Sequence, residues 1–312
     1  GGGLAGCEAA WQAANQGIPV VLYEMRPYKF TEAHRTALLA ELICSNSLGS
    51  IKPSSANGLL YHEMKAFNSL ICQAAEATSV PAGTALAVDR YLFAQKVTEM
   101  LSHHPHVRIV REEVTSIPLT PTIIATGPLT SPALTKALQN FHGEENLFFY
   151  DAIAPIIEAD SIDMHNAFWG SRYGKENFGN GDYLNCPLDK PTYENFIDNL
   201  VHAKTISLRS FEEEIREGVE AGQGPFFEGC LPIETLANRG LKTLAYGPLR
   251  PVGLHKSYHG ERPYAVVQLR QEDLSHDAYN MVGFQTNLTI SEQKRVFRLI
   301  PALQNAEFVR YG

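Results

Sequence analysis

The sequence predicts an α/β fold in two regions, and three observations carry that prediction. Residues 1–24 run glycine turn, apolar helix, strand and terminal acid, in that order. As far as about residue 148, segments with apolar spacing of three and four alternate with short β-branched runs. From about residue 149, strand-like segments with helical patterns between them take over, and no second glycine turn occurs.

Gly1, Gly3 and Gly6 fit G-x-G-x-x-G, and Trp11, Ala13 and Ala14 continue into a helix-like run. The strand 20–23 follows and ends at Glu24. Such a turn leaves the backbone bare enough for a pyrophosphate to approach, and brings helix and sheet into close contact. The free N–H groups and dipole of the helix N-terminus favour the anion. Glu24 is placed to accept from a ribose 2′-hydroxyl, a charge-assisted bond worth roughly 1.5–3 kcal/mol. A dinucleotide site is therefore expected here, with a further strand before Gly1.

After a loop at 25–27, an Ala- and Leu-rich stretch up to Ile43 reads as helix-like, and 44–50 as a polar loop of small residues. Apolar spacing predicts one helix over 59–78, then a turn and short strand at 81–88. Asp89 is a candidate N-cap for a helix to about His103, and 107–110 and 122–125 read as strands. The second of these is apolar, is expected to be buried, and ends in Thr126-Gly127. Such an ending passes close to the cofactor in some flavoproteins, and is otherwise an ordinary strand before a Gly-Pro turn. Strands are expected at 154–159, 183–185, 264–270 and 280–284, and helices at 192–203 and 291–300. The regions are thus a Rossmann-like cofactor domain (1–148), an inserted α/β domain (149–300), and a start of return to the first domain (301–312).

Composition narrows the function. The chain has 312 residues, long enough for two cores, and 44% hydrophobic with 19% charged residues describes an ordinary globular protein. No apolar run approaches the ~20 residues of a membrane helix, and no charged-then-apolar leader is present. Five cysteines without a C-x-x-C pair point to a reducing, cytoplasmic setting. Net charge is −8, yet residues 235–270 carry six basic side chains against one acid. That stretch is either a surface that attracts phosphate or a solvated face of scattered charges. The cluster His103-His104-x-His106 reads as a surface turn, and no H-E-x-x-H, P-loop or G-x-S-x-G motif occurs.

Two cysteines stand in settings suited to chemistry. Cys44 is followed by Ser45, Asn46 and Ser47, and Cys230 lies in F-E-G-C-L-P-I-E, a constrained turn between carboxylates. A thiolate is the reactive form, although most cysteines are small buried hydrophobes. Cys7, Cys72 and Cys186 are read as packing.

Several segments together resemble the folate- and FAD-dependent tRNA (uracil-5-)-methyltransferase family, TrmFO. They are LYEMRP at 22–27, CSNSLG at 44–49, AVDR at 87–90, ATGPLTS at 125–131, DYLNCP at 182–187, EGCLP at 228–232, RPVGL at 250–254 and VVQLRQED at 266–273. The related GidA (MnmG) proteins share the glycine turn but not the two cysteine segments in this form. The resemblance implies FAD, 5,10-methylenetetrahydrofolate and NAD(P)H as cofactors, and tRNA as substrate. The product it implies is 5-methyluridine at T-loop position 54. By the same resemblance Cys230 is the nucleophile at uracil C6, and Cys44 acts near the flavin on a proton or intermediate. Gly1, Gly3, Gly6, Glu24, Arg26, Ser45, Asn46, Thr126 and Gly127 are expected at the cofactor, and Arg250 and Lys256 on tRNA. Relative to that family, the strand before Gly1 and the C-terminal part are missing. Two alternatives are a GidA-like enzyme acting on the wobble uridine and a non-catalytic FAD- and tRNA-binding module. No membrane partner is expected.

Overall fold

The computed structural model describes residues 1–31, 33–127, 129–142, 154–174, 181–206, 231–254 and 262–312. The chain divides into two compact units, 1–79 with 86–149, and 80–85 with 150–312.

In the first unit, helix α1 (Leu4–Asn15) leaves the glycine turn and returns the chain into strand β1 (Val20–Glu24). Its buried positions are Gly6, Cys7, Ala10 and Ala14. Their small side chains allow α1 to lie close on the sheet. β1 pairs in parallel with β5 (Val107–Arg111), register Val20↔Val107 to Glu24↔Arg111. Helix α4 (Arg90–Ser102) feeds β5, and the Asp89 carboxylate caps it by accepting from the Leu92 N–H at 2.9 Å. Between these elements come β2 (Ser47–Ser50), α2 (Ala56–Ala66), α3 (Leu70–Ala77), β3 (Ser79–Val80) and β4 (Ala85–Val88). The three strands form a small sheet in the order β2-β4-β3. Leu22, Leu39, Leu70, Val88, Phe93, Val97 and Leu101 meet in the core of this unit. Helix α5 (Pro132–His142) follows.

Four expectations fail in this unit, each for a local reason. The stretch up to Ile43 is not helical: Ala40 takes φ 52° and Glu41 accepts the Arg35 and Thr36 N–H groups, a pattern no helix interior allows. Residues 47–50 are a strand rather than a loop, paired through β4. The helix expected over 59–78 is two helices, broken where Asn68 adopts φ 53° and Ser69 caps α3 by accepting from Cys72 N–H. Residues 122–125 join no ladder, and Ile123 and Ile124 are 70% and 40% exposed rather than buried.

The second unit is built on a six-stranded sheet, order β11-β6-β10-β9-β8-β7. Its strands are β6 (Ile156–Glu158), β7 (Phe168–Trp169), β8 (Tyr183–Leu188), β9 (Ala265–Gln271), β10 (Ala278–Met281) and β11 (Phe308–Arg310). Among the described residues its strands pair antiparallel. Helices α6 (Lys190–Val201), α7 (Ile233–Asn238), α8 (Thr243–Tyr246) and α9 (Ile290–Phe297) contribute Phe196, Ile233, Leu244 and Phe297 to the core, which also holds Leu184, Val267, Leu269 and Met281. Residues 80–85 join this unit: Gly83 N–H donates to Asp182 at 2.7 Å, and the Tyr183 hydroxyl donates to Ala82 C=O at 2.9 Å. Residues 301–312 cluster with this unit, where β11 hydrogen-bonds along β6. No described helix is long and apolar enough to cross a membrane.

Candidate functional site

The first unit holds a cleft lined by Gly1, Gly2, Gly3, Glu24, Thr126 and Ser131, among others. Its floor follows from the sequence of α1. Gly3, in the cleft lining, is the N-cap residue, and neither a side-chain cap nor a first-turn acid takes up the leading N–H groups of α1. A methyl group at Gly3 would meet nothing within 4 Å, which leaves room for an anion. At Gly6 it would lie 1.9 Å from Gly1 C=O, and at Gly2 it would lie 2.7 Å from Glu24 Oε2. The turn is therefore open toward the cleft and closed toward the helix and sheet. That donor set fits the pyrophosphate of a dinucleotide.

Glu24 stands at the wall, 7% exposed. Its Oε2 accepts from Gly2 N–H at 2.9 Å, and its Oε1 accepts from Arg26 N–H at 3.1 Å and Arg26 Nε–H at 2.9 Å. Burial alone favours the neutral acid, but the Arg26 hydrogen bonds and charge, with the Gly2 N–H, outweigh it and hold the carboxyl down at about 2. Because the folded value lies below the 4.5 of a free glutamate, the contribution is complete above pH 4.5 and is lost as pH falls toward 2. It amounts to about 3 kcal/mol at most. Acid unfolding should accordingly be less steep over that interval in Glu24→Gln than in the unmodified protein, as read by circular dichroism against pH.

The other expected site residues are distributed as follows. Thr126 lines the cleft, its hydroxyl 2.8 Å from that of Thr130, and Gly127 turns the chain with φ 66°. Arg26 also borders the cleft, 2% exposed, with its guanidinium bonded to Glu24, Glu41 and Thr36 C=O. Asn46 is fully buried, with its amide donating to Val88 C=O at 3.0 Å, and Ser45 accepts from Ser47 N–H at 3.2 Å. Neither lines the cleft. Cys44 is a half-buried thiol outside any disulfide. Arg250 is exposed. Cys230 and Lys256 lie outside the described residues.

Cys7, Cys72 and Cys186 are buried, and burial raises all three thiols, Cys7 to about 12. Among the described residues no group of three or more His, Cys, Asp or Glu could hold a metal ion. The sequence reading missed Glu41, and also His34, Glu112 and Glu113 at the cleft. Glu41 carried a usable signal: an acid inside an apolar run is a candidate for a buried ion pair.

The whole chain, residues 1–312, matches the family model described as glucose inhibited division protein A. It is 55% identical over 312 residues to the methylenetetrahydrofolate--tRNA-(uracil-5-)-methyltransferase TrmFO of Anoxybacillus flavithermus, covering all of this chain and 69% of that protein. The protein of the same name from Natranaerobius thermophilus is 54% identical over 313 residues, with the same coverage. Among solved structures, Aquifex aeolicus GidA is similar in its form I crystal (TM-score 0.63, 16% identity) and its form II crystal (TM-score 0.61, 15% identity). Those matches cover 99% of this chain but only 55% and 53% of the GidA chains, and they speak to the fold. With a family model spanning every residue and relatives identical at more than half of the aligned positions, the chain belongs to the glucose inhibited division protein A family, among its TrmFO members.

Proposed function

We propose that the full-length protein is a methylenetetrahydrofolate- and FAD-dependent methyltransferase that makes 5-methyluridine at T-loop position 54 of tRNA, with NAD(P)H as reductant. The observation that carries this reading is the identity of 54–55%, along the entire chain, to relatives bearing that enzyme name. The cleft supports it locally: the Gly1–Gly3 turn and the start of α1 would hold a pyrophosphate, and Glu24 would accept from the ribose. FAD, when bound, supplies the redox chemistry by which a methylene becomes a methyl group.

The chain's own work is on the uracil ring. C5 of uracil is a poor nucleophile. Addition of the Cys230 thiolate at C6 breaks the C5–C6 double bond and pushes its electron pair to C5, which can then attack a one-carbon electrophile. Removal of the C5 proton, the role we assign to Cys44, lets the thiolate leave C6 and restores the double bond. The exposed Arg250, with Lys256, would meet tRNA phosphates. We place the protein in the cytoplasm, where its tRNA substrate is.

The test is direct. Full-length protein with FAD, methylenetetrahydrofolate and NAD(P)H is incubated with methyl-deficient tRNA, and nucleosides are read by mass spectrometry. A gain of 5-methyluridine in the T-loop is expected. Modification at the wobble uridine instead would favour the GidA-like alternative. Binding of tRNA with no modification would leave only a binding module.

A further inference from the structure

The geometry points to Glu41 as a positioning residue for the cofactor ribose, acting through Arg26 on Glu24; this rests on the FAD reading above. Arg26 is buried between two carboxylates. Its Nε meets Glu24 Oε1 at 2.9 Å and its Nη1 meets Glu41 Oε2 at 2.8 Å, while Nη1 also donates to Thr36 C=O at 3.2 Å. Glu41 is itself fixed by the Arg35 N–H at 2.8 Å, the Thr36 N–H at 3.2 Å and the Thr36 hydroxyl at 3.0 Å. The residue before it, Ala40, donates its N–H to Gly2 C=O at 2.7 Å. The segment 35–41 is thus tied at one end to the glycine turn and at the other to the arginine that holds the ribose acid.

The consequence follows from counting acceptor positions. Each carboxylate oxygen accepts about two hydrogen bonds. Glu24 Oε1 already takes two from Arg26, and Oε2 takes one from Gly2, which leaves Oε2 one position for a ribose hydroxyl. A guanidinium tends to grip a carboxylate with two parallel N–H bonds. The fork that includes Nε is completed by Nη2, and Glu41, by holding Nη1, fixes the guanidinium in an orientation in which Nε alone of its nitrogens bonds Glu24. Without Glu41, Arg26 can turn to take both Glu24 oxygens, rotating the carboxylate and filling the position the ribose needs. A buried arginine that loses one partner has every reason to do so.

The experiment uses full-length protein stripped of FAD, with ADP and 2′-deoxy-ADP as probes in competition against FAD fluorescence. The unmodified protein should prefer ADP. Glu41→Gln should bind ADP about tenfold more weakly and leave 2′-deoxy-ADP nearly unchanged, and Glu24→Gln/Glu41→Gln should bind no worse than Glu24→Gln alone. Thr36→Val, which removes one bond to Glu41, should show the same selective loss at smaller size and serves if Glu41→Gln does not fold. Equal loss of both probes, or no loss of either, would overturn the positioning role, because a loop support would not distinguish the two sugars. An unmodified protein that binds both probes equally would instead overturn the ribose assignment of Glu24 on which the role depends.

Discussion

Full-length Gly6→Ala is expected to purify without flavin, its FAD affinity lowered by about a hundredfold or more, equivalent to about 3 kcal/mol. The added methyl carbon would fall 1.9 Å from Gly1 C=O, well inside contact distance. The clashing atom belongs to the backbone, so no side-chain rotation relieves it. Either α1 moves off the sheet or the glycine turn moves off the helix. Both changes carry away the N–H groups expected to meet the pyrophosphate. Gly3→Ala separates the turn's shape from its openness. Its methyl group would touch nothing in the protein, so the fold should keep its melting temperature while FAD binding weakens. A Gly6→Ala protein that retains stoichiometric flavin would show that the turn is not where the cofactor sits.

The second large effect belongs to Cys230→Ala, for which methyl transfer should fall by about 10⁴-fold or more, as when a covalent nucleophile is removed from an enzyme that acts through one. The same substitution should abolish the covalent adduct formed with tRNA carrying 5-fluorouridine in its T-loop, since fluorine at C5 cannot leave as a proton does. Cys44→Ala should behave differently. If Cys44 handles the proton at C5, addition at C6 survives and the adduct still forms, while turnover with ordinary tRNA is lost. An adduct that persists in Cys230→Ala and disappears in Cys44→Ala would exchange the two roles.

The parts of the structure legible in the sequence are those in which local chemistry and tertiary packing agree. The glycine turn, α1, β1 and the Asp89 cap of α4 each combine a backbone requirement with a matching residue type. The failures share a cause. The run up to Ile43 has helical composition, but Glu41 and Arg26 draw it into an ion-pair network that no local propensity records. Asn68 breaks a helix whose apolar spacing runs straight through it. Ser47–Ser50 is polar and short, and becomes a strand only because β4 lies beside it. Asn46, expected at the cofactor, donates its amide to Val88 C=O, a partner forty-two positions away that no local pattern announces. Arg26 was recognisable as important, but its partner Glu41 lies fifteen positions away and became visible only in three dimensions.

Ala40 combines a left-handed backbone, a fully enclosed side chain and an N–H committed to Gly2. A left-handed L-residue carries roughly 1–2 kcal/mol of steric cost, and enclosure leaves no volume beyond a methyl group. Position 40 therefore has a vocabulary of two, alanine and glycine. Glycine removes the steric cost but loosens the unfolded chain. Any branched or longer residue must push the fingerprint loop outward, so damage to cofactor binding can arise at a site that never touches the cofactor.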